Sequence, residues 1–195
     1  MSTKMKLGVV LLAAGRSERF GSDKLLAGFN GRPMICRALE AMRAVPCAKA
    51  CVITGSGEVA ALAKDYGFDM IPNSEPRLGQ SHSIHLGVQA MQEMDALLFL
   101  VGDQPRLTGR SLMRLLDAFM ASDKGIACLR DGTHMGNPAV FAMKYAPELL
   151  ALSGDRGAKG ILRAHQDDLL IVDCAYPHEL ADADTPQALA RLLED

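Results

Sequence analysis

Apolar residues along this chain gather into short, β-branched-rich runs separated by longer stretches in which they recur at helical spacing. A short run with both faces apolar suits a strand buried in a parallel sheet, and the helical spacing suits the crossover that covers it. The pattern predicts strands over Lys6–Ala14, Ala50–Thr54, Phe68–Ile71, Ala96–Val101, Gly125–Leu129, Ala139–Met143 and Leu169–Val172. It predicts helices over Pro33–Ala44, Glu58–Tyr66, Ser81–Met94, Gly109–Ser122 and Gly157–His165. Pro33 suits a first helical position, and Asp184-Thr185-Pro186 supplies a cap and a proline for a final amphipathic helix. Such alternation implies an α/β fold, a three-layer α/β/α arrangement around a mostly parallel sheet. Arg130–Asn137, rich in glycine and polar residues, breaks the pattern and reads as a mobile active-site loop.

Composition narrows the class. The 195 residues suffice for one full-sized core, and no linker, repeat or low-complexity tract divides them, so one domain over 1–195 is expected. No apolar run approaches the roughly 18 residues that cross a bilayer. Met1 to Lys6 carries some positive charge, but no small-residue cleavage site follows it; a cytoplasmic protein without membrane contact is expected. Net charge is −2 with Lys and Arg scattered, which argues against nucleic acid as a partner and makes any anion site local. The five cysteines form no C-x-x-C pair and the five histidines no H-E-x-x-H array. Reduced thiols are expected, with Cys47 and Cys51 buried as small apolar residues rather than holding a metal.

Three segments carry candidate chemistry, each just behind a predicted strand. The first is Leu12-Ala-Ala-Gly-Arg-Ser-Glu-Arg-Phe-Gly-Ser-Asp-Lys24. A glycine turn at the end of a strand aims backbone N–H groups at an anion. Five residues separate Gly15 from Gly21, and Ser22 stands where a Walker loop needs lysine; a G-x-G-x-x-G fingerprint is also missing. Arg16, Arg19 and Lys24 remain to meet a polyphosphate, although a solvated loop explains the same letters. The second is Gly102-Asp103-Gln104-Pro105, which sets a carboxylate at the sheet edge where open α/β sheets bind ligands. Asp103 there is either a Mg²⁺ ligand shared with phosphate oxygens or a turn residue. The third, Asn73 to Gly87, offers Gly79 for close backbone approach and small hydroxyls for a base-recognition rim, or else an ordinary helix start.

Taken together, these segments resemble the molybdenum cofactor nucleotidyltransferases, within the wider group of sugar-phosphate and methylerythritol cytidylyltransferases. The motif L-x-A-G-x-x-x-R-x-G-x-x-K is met at Leu12, Ala14, Gly15, Arg19, Gly21 and Lys24. G-D-Q-P follows at Gly102–Pro105, G-N-P at Gly136–Pro138, G-D-x-G at Gly154, Asp155 and Gly157, and D-x-D-T-P at Asp182–Pro186. The resemblance spans essentially the whole chain and implies the nucleotide-diphospho-sugar transferase type of fold, with a Rossmann-like nucleotide-binding half. It implies that Leu12, Ala13, Ala14 and Gly15 face the base and ribose with Gly79 and Ser83. It gives Arg19 and Lys24 the triphosphate and Asp103 a Mg²⁺ ion, with Asp184 preferred to Asp182 as second ligand. Asn137, Asp155 and Gly157 would wall the acceptor; Arg156 or Lys159 would meet its phosphate or else belong to a solvated helix start, and His134 would touch the pterin or else be a surface residue.

Within that family L-A-A-G accompanies cytidylyl transfer and L-A-G-G guanylyl transfer, so Ala14 favours CTP. The implied reaction is CMP transfer from CTP to the terminal phosphate of the molybdenum-bound molybdopterin cofactor, with a molybdenum hydroxylase receiving the product. Three other readings keep the same residues. They are guanylyl transfer to the same cofactor, cytidylyl transfer to a sugar phosphate or methylerythritol phosphate, and nucleotide-bound delivery of the cofactor without catalysis.

Overall fold

A computed structural model describes residues 5–15, 17, 20–21 and 23–194 of the chain. In chain order the strands are β1 (Leu7–Leu12), β2 (Gly28–Phe29), β3 (Arg32–Pro33), β4 (Lys49–Thr54), β5 (Asp69–Pro72), β6 (Ala96–Val101), β7 (Ile126–Asp131), β8 (His134–Ala142) and β9 (Leu169–Asp173). The α-helices are α1 (Ile35–Arg43), α2 (Gly57–Asp65), α3 (Gln80–Ala90), α4 (Gly109–Ala121), α5 (Ala146–Leu150), α6 (Lys159–Ala164) and α7 (Pro186–Glu194). Seven strands form one sheet in the order β5-β4-β1-β6-β8-β7-β9, while β2 and β3 pair as a separate ribbon. Every neighbouring pair in the large sheet is parallel except those of β8, which runs antiparallel to β6 and β7.

The strand period of two sends alternate residues of β1 into two separate cores. Val9 and Leu11 pack with residues of α1, α2, α4 and α7, whereas Val10 and Leu12 pack with residues of α3, α5 and α6. That is the expected three-layer arrangement. Capping matches the sequence in several places: Thr108 Oγ1 accepts from the Ser111 N–H at 3.3 Å ahead of α4, and Thr185 Oγ1 accepts from the Ala188 N–H at 3.1 Å ahead of Pro186. Among the described residues no helix is long and apolar enough to cross a membrane.

The structure corrects several expectations. Arg130–Asn137 is a hairpin end rather than a loop: Arg130 and Asp131 pair with Met135 and His134 across Gly132-Thr133 and Leu129 pairs with Gly136, while Asn137 falls in the bulge between Leu129 and Cys128. Its polar residues mark a solvent-facing hairpin end. Pro33 does not start a helix. It pairs with Gly28 in the ribbon that folds over Asn30-Gly31, both at positive φ (51° and 79°), and α1 starts at Ile35. The helix expected to reach Met94 ends at Ala90, the one expected from Gly157 starts at Lys159, and α5 was not expected at all. Cys51 is buried as expected, but Cys47 is exposed, because it lies in the loop between α1 and β4 rather than in the strand.

Candidate active site

The sheet brings the candidate segments together through register. Leu12 and Val101 are paired positions of β1 and β6, so both chains leave the sheet at the same height, and the Gly102 N–H donates to the Leu12 carbonyl at 3.2 Å. Above them opens a cleft of about 530 Å³ whose lining includes Leu12, Ala13, Ala14, Gly15, Gly79 and Ser83. Lys24, Asp103 and Asp184 border the same space. Arg19 lies outside the described residues.

Lys24 opens a 3₁₀ turn capped by Asp23, whose carboxylate accepts from the Leu25 N–H at 3.1 Å. From there its ammonium donates to Asp103 Oδ2 at 2.6 Å and to Asp184 Oδ1 at 2.9 Å. The Lys24 and Asp103 side chains are only 13% and 21% exposed, against 40% for Asp184, so the pair with Asp103 is the less screened. Burial works against the Lys24 charge, but Asp103 and then Asp184 outweigh it and hold its pKa above the usual lysine value. The amine is therefore a fixed cation at physiological pH.

Asp184 arrives on the irregular segment between β9 and α7. That segment is pinned where the Ala183 N–H donates to the Asp103 carbonyl at 2.9 Å, with Ala183 fully buried. Asp182, two residues earlier, turns away: its carboxylate accepts from Gln104 Nε2 at 3.1 Å. Burial and the nearby Asp103 charge raise its pKa. Of the two acids in D-x-D, Asp184 is thus the one that shares a cation with Asp103. Two carboxylates converging on a single positive charge form an oxygen donor set suited to a hard divalent ion completed by water and phosphate oxygens. Among the described residues no third Asp, Glu, His or Cys joins them.

The part of the cleft expected to face a base is partly spent on structure. The Ala13 N–H already donates to the Ile53 carbonyl at 2.8 Å, which leaves the turn at Ala14 and Gly15 to meet a ligand. Ser83 Oγ accepts from Asn73 Nδ2 at 2.9 Å and keeps its own O–H to donate. Gly79 sits at φ 81°, ψ −174°, a region essentially closed to other residues. A Cβ there would stand 2.3 Å from the Gly154 carbonyl carbon, and the Gly154 oxygen accepts from the Ser81 N–H at 3.1 Å. The G-D-x-G segment is therefore packed directly against the start of α3.

Beside the cleft lie cavities of about 220 and 240 Å³. Asn137, Asp155 and Gly157 all border the smaller one, so the three residues expected at the acceptor do come together. His134 borders the larger, and Arg156 borders none of these spaces. Sequence reasoning overlooked Gln80, which borders the cleft and both cavities, and Gln104, which orients Asp182. A Cβ on Gly157 would fall 2.5 Å from Gln80 Oε1, so a side chain there would push the Gln80 amide aside. Gln80 had one available signal, its place directly behind Gly79; Gln104 had its place directly behind Asp103.

Comparison with known proteins gives this geometry a context. A family model described as the MobA-like NTP transferase domain matches residues 9–169. The chain is 29% identical over 156 residues to a probable molybdenum cofactor guanylyltransferase of Pyrococcus horikoshii, covering 80% of this chain and 78% of that protein. It is 28% identical to nicotine blue oxidoreductase of Paenarthrobacter nicotinovorans, covering 94% and 95%. It is 33% identical over 141 residues to the bifunctional protein GlmU of a Janthinobacterium species, matching 69% of this chain but spanning only 30% of that relative's length. Among solved structures, Rv0371c from Mycobacterium tuberculosis superposes with a TM-score of 0.80 at 24% identity over 99% of this chain and 100% of that one. A structure of that protein in complex with manganese gives 0.77 at 23% identity, covering the same shares.

Proposed function

From the premise that the chain belongs to the MobA-like NTP transferase domain family, and is a nucleotidyltransferase of the nucleotide-diphospho-sugar transferase fold, we propose that it transfers CMP from CTP to the terminal phosphate of molybdenum-bound molybdopterin. The observation that carries the nucleotide choice is Ala14, which stands at the turn bordering the cleft that Gly79 and Ser83 also line. A pyrimidine leaves the Ala14 methyl in place, whereas a purine asks for more room against the same backbone. The acceptor choice is supported by the family's molybdenum cofactor relative and by the cavities that adjoin the cleft at Asp103 and Asp155.

In this reading a phosphate oxygen of the acceptor attacks the α-phosphorus of CTP, and the bond from that phosphorus to the bridging oxygen of the β-phosphate breaks, releasing pyrophosphate. The attacking phosphate is already anionic, so neither a strong base nor a covalent enzyme intermediate is needed, and catalysis rests on alignment and charge neutralisation. Asp103 and Asp184 would hold a divalent cation such as Mg²⁺, which supplies neutralisation of phosphate charge. Lys24, protonated and bordering the cleft, takes up charge on the departing pyrophosphate together with Arg19. Asn137, Asp155 and Gly157 hold the pterin end of the acceptor, and an apoenzyme of the molybdenum hydroxylase class accepts the product.

The test incubates the purified protein with molybdenum cofactor, Mg²⁺ or Mn²⁺, and either CTP or GTP, and follows pyrophosphate. Release with CTP is expected; release with GTP alone overturns the nucleotide assignment. Transfer to glucosamine 1-phosphate or methylerythritol phosphate in place of the cofactor overturns the acceptor assignment.

A further inference from the structure

The two cavities beside the cleft share one cation. Lys159 borders both, and among the described residues the other ionised side chains around them are acidic: Asp155 at the smaller, Asp103 and Asp182 at the larger. Without Lys159, a phosphate entering this space would find only neutral and acidic side chains among the described residues, with no cation to offset Asp155, Asp103 and Asp182. The cation of the adjoining cleft, Lys24, borders neither cavity and is held by Asp103 at 2.6 Å and Asp184 at 2.9 Å. The Lys159 ammonium makes no hydrogen bond or ion pair within the described residues; Asp182 acts on it only at longer range, while held by Gln104.

The path of the side chain is built into the fold. Lys159 is the first residue of α6, and its stem lies over β8 at Gly136, where an added Cβ would stand 2.9 Å from Lys159 Cε. Any larger residue at position 136 would displace the lysine. Asp103 borders the nucleotide cleft as well as the larger cavity, so an anion held by Lys159 there sits beside the carboxylate that faces the nucleotide.

We propose that Lys159, rather than Arg156, receives the terminal phosphate of the acceptor and sets the preference of this cavity for a phosphomonoester; this rests on the nucleotidyl-transfer reading above. Charge-assisted contacts of this kind are strong and point-like for lysine, so the effect should fall on one substrate.

The test uses full-length Lys159→Met, Lys159→Arg and Arg156→Met proteins, with pyrophosphate release followed at varied molybdenum cofactor and then at varied CTP. Lys159→Met is expected to raise the acceptor KM by about tenfold or more, with the CTP KM within about twofold of wild type, and Lys159→Arg to recover most of the loss. An unchanged acceptor KM, an equal rise in both KM values, or the same loss in Arg156→Met overturns the proposal. A second measurement does not depend on the identity of nucleotide or acceptor: binding of inorganic phosphate by ³¹P line width, in a Lys24→Met background to remove competition from the nucleotide cleft. Adding Lys159→Met should weaken phosphate several-fold, and equal binding overturns the role of Lys159. Loss of phosphate binding in a protein whose wild type transfers nothing to molybdenum cofactor leaves the role of Lys159 standing and removes the reading of the acceptor.

Discussion

The two sides of the site hold their positive charge in opposite ways. On the nucleotide side Lys24 is bound by Asp103 and Asp184 at 2.6 and 2.9 Å before any ligand arrives. On the side proposed for the acceptor Lys159 faces its cavities with no ion pair among the described residues. The difference teaches how each side responds to a ligand. A divalent ion that binds Asp103 competes with Lys24 for its carboxylate, and an anion that draws Lys24 away leaves the Asp103 carboxylate open to that ion. Each ligand thus improves the site for the other, a reciprocal coupling of the kind linkage requires. In the proposed reading Lys159 exchanges nothing, so its contribution should fall directly on acceptor affinity.

The largest effect should come from breaking the residue that borders both sides. Asp103→Ala removes the better-buried partner of Lys24 and one of the two carboxylates, while the backbone carbonyl that holds Ala183 stays in place. Loss of a group that organises transition-state charge typically costs about 10³-fold, or roughly 4 kcal/mol. Pyrophosphate release should fall by at least that factor, with a thermal unfolding midpoint within a few degrees of wild type. Retention of a tenth of the activity would remove Asp103 from the chemistry.

Next in size is the seam between the two sides, where Gly79 packs on Gly154. Gly79→Ala forces a side chain into a conformation that costs on the order of 1–3 kcal/mol even in open space. The space is not open: backbone atoms of Gly154 and Asp155 lie 2.3 to 2.6 Å from the added carbon. The start of α3 must then move off the G-D-x-G segment, spoiling the base rim and the acceptor wall together. Both KM values should rise by about tenfold and the melting temperature should drop by several degrees, at about 2–4 °C per kcal/mol for a chain of this size. A stable variant in which one KM alone changes would show that the two sides are independent.

Much of this was legible in the sequence, and the reasons differ by region. The large sheet could be read because buried parallel strands such as Val9–Leu12 and Ala96–Val101 are apolar on both faces. The D-x-D-T-P segment could be read because cap, proline and carboxylates sit side by side in the chain. The β7–β8 hairpin could not, because its solvent-facing end carries the same polar letters as a loop and only cross-strand pairing distinguishes the two. The Asn30-Gly31 turn went unread because Pro33 is equally at home in the ribbon and at a helix start. Gln80 and Gln104 escaped because their roles depend on Gly157 and Asp182, 77 and 78 positions away, which no local pattern reports. Lys24 illustrates the limit from the other side: its type and place suggested a phosphate ligand, but its ion pairs to Asp103 and Asp184 join residues 79 and 160 positions apart.

The smallest expected effect sharpens the nucleotide side alone. Ala14 borders the cleft where the Ala13 N–H is already spent on Ile53, so a base must pack against the turn rather than bond to it at that point. Ala14→Gly removes one methyl group from that surface, and a difference of one methylene in a pocket typically discriminates by about 1–3 kcal/mol. The ratio of kcat/KM for CTP over GTP should fall by about tenfold, mostly through better use of GTP, while the acceptor KM stays at the wild-type value. A ratio that does not move would mean that base choice is set across the cleft, at the Gly79 to Ser83 turn. If the acceptor KM moves as well, the methyl group is supporting the shape of the whole cleft rather than selecting the base.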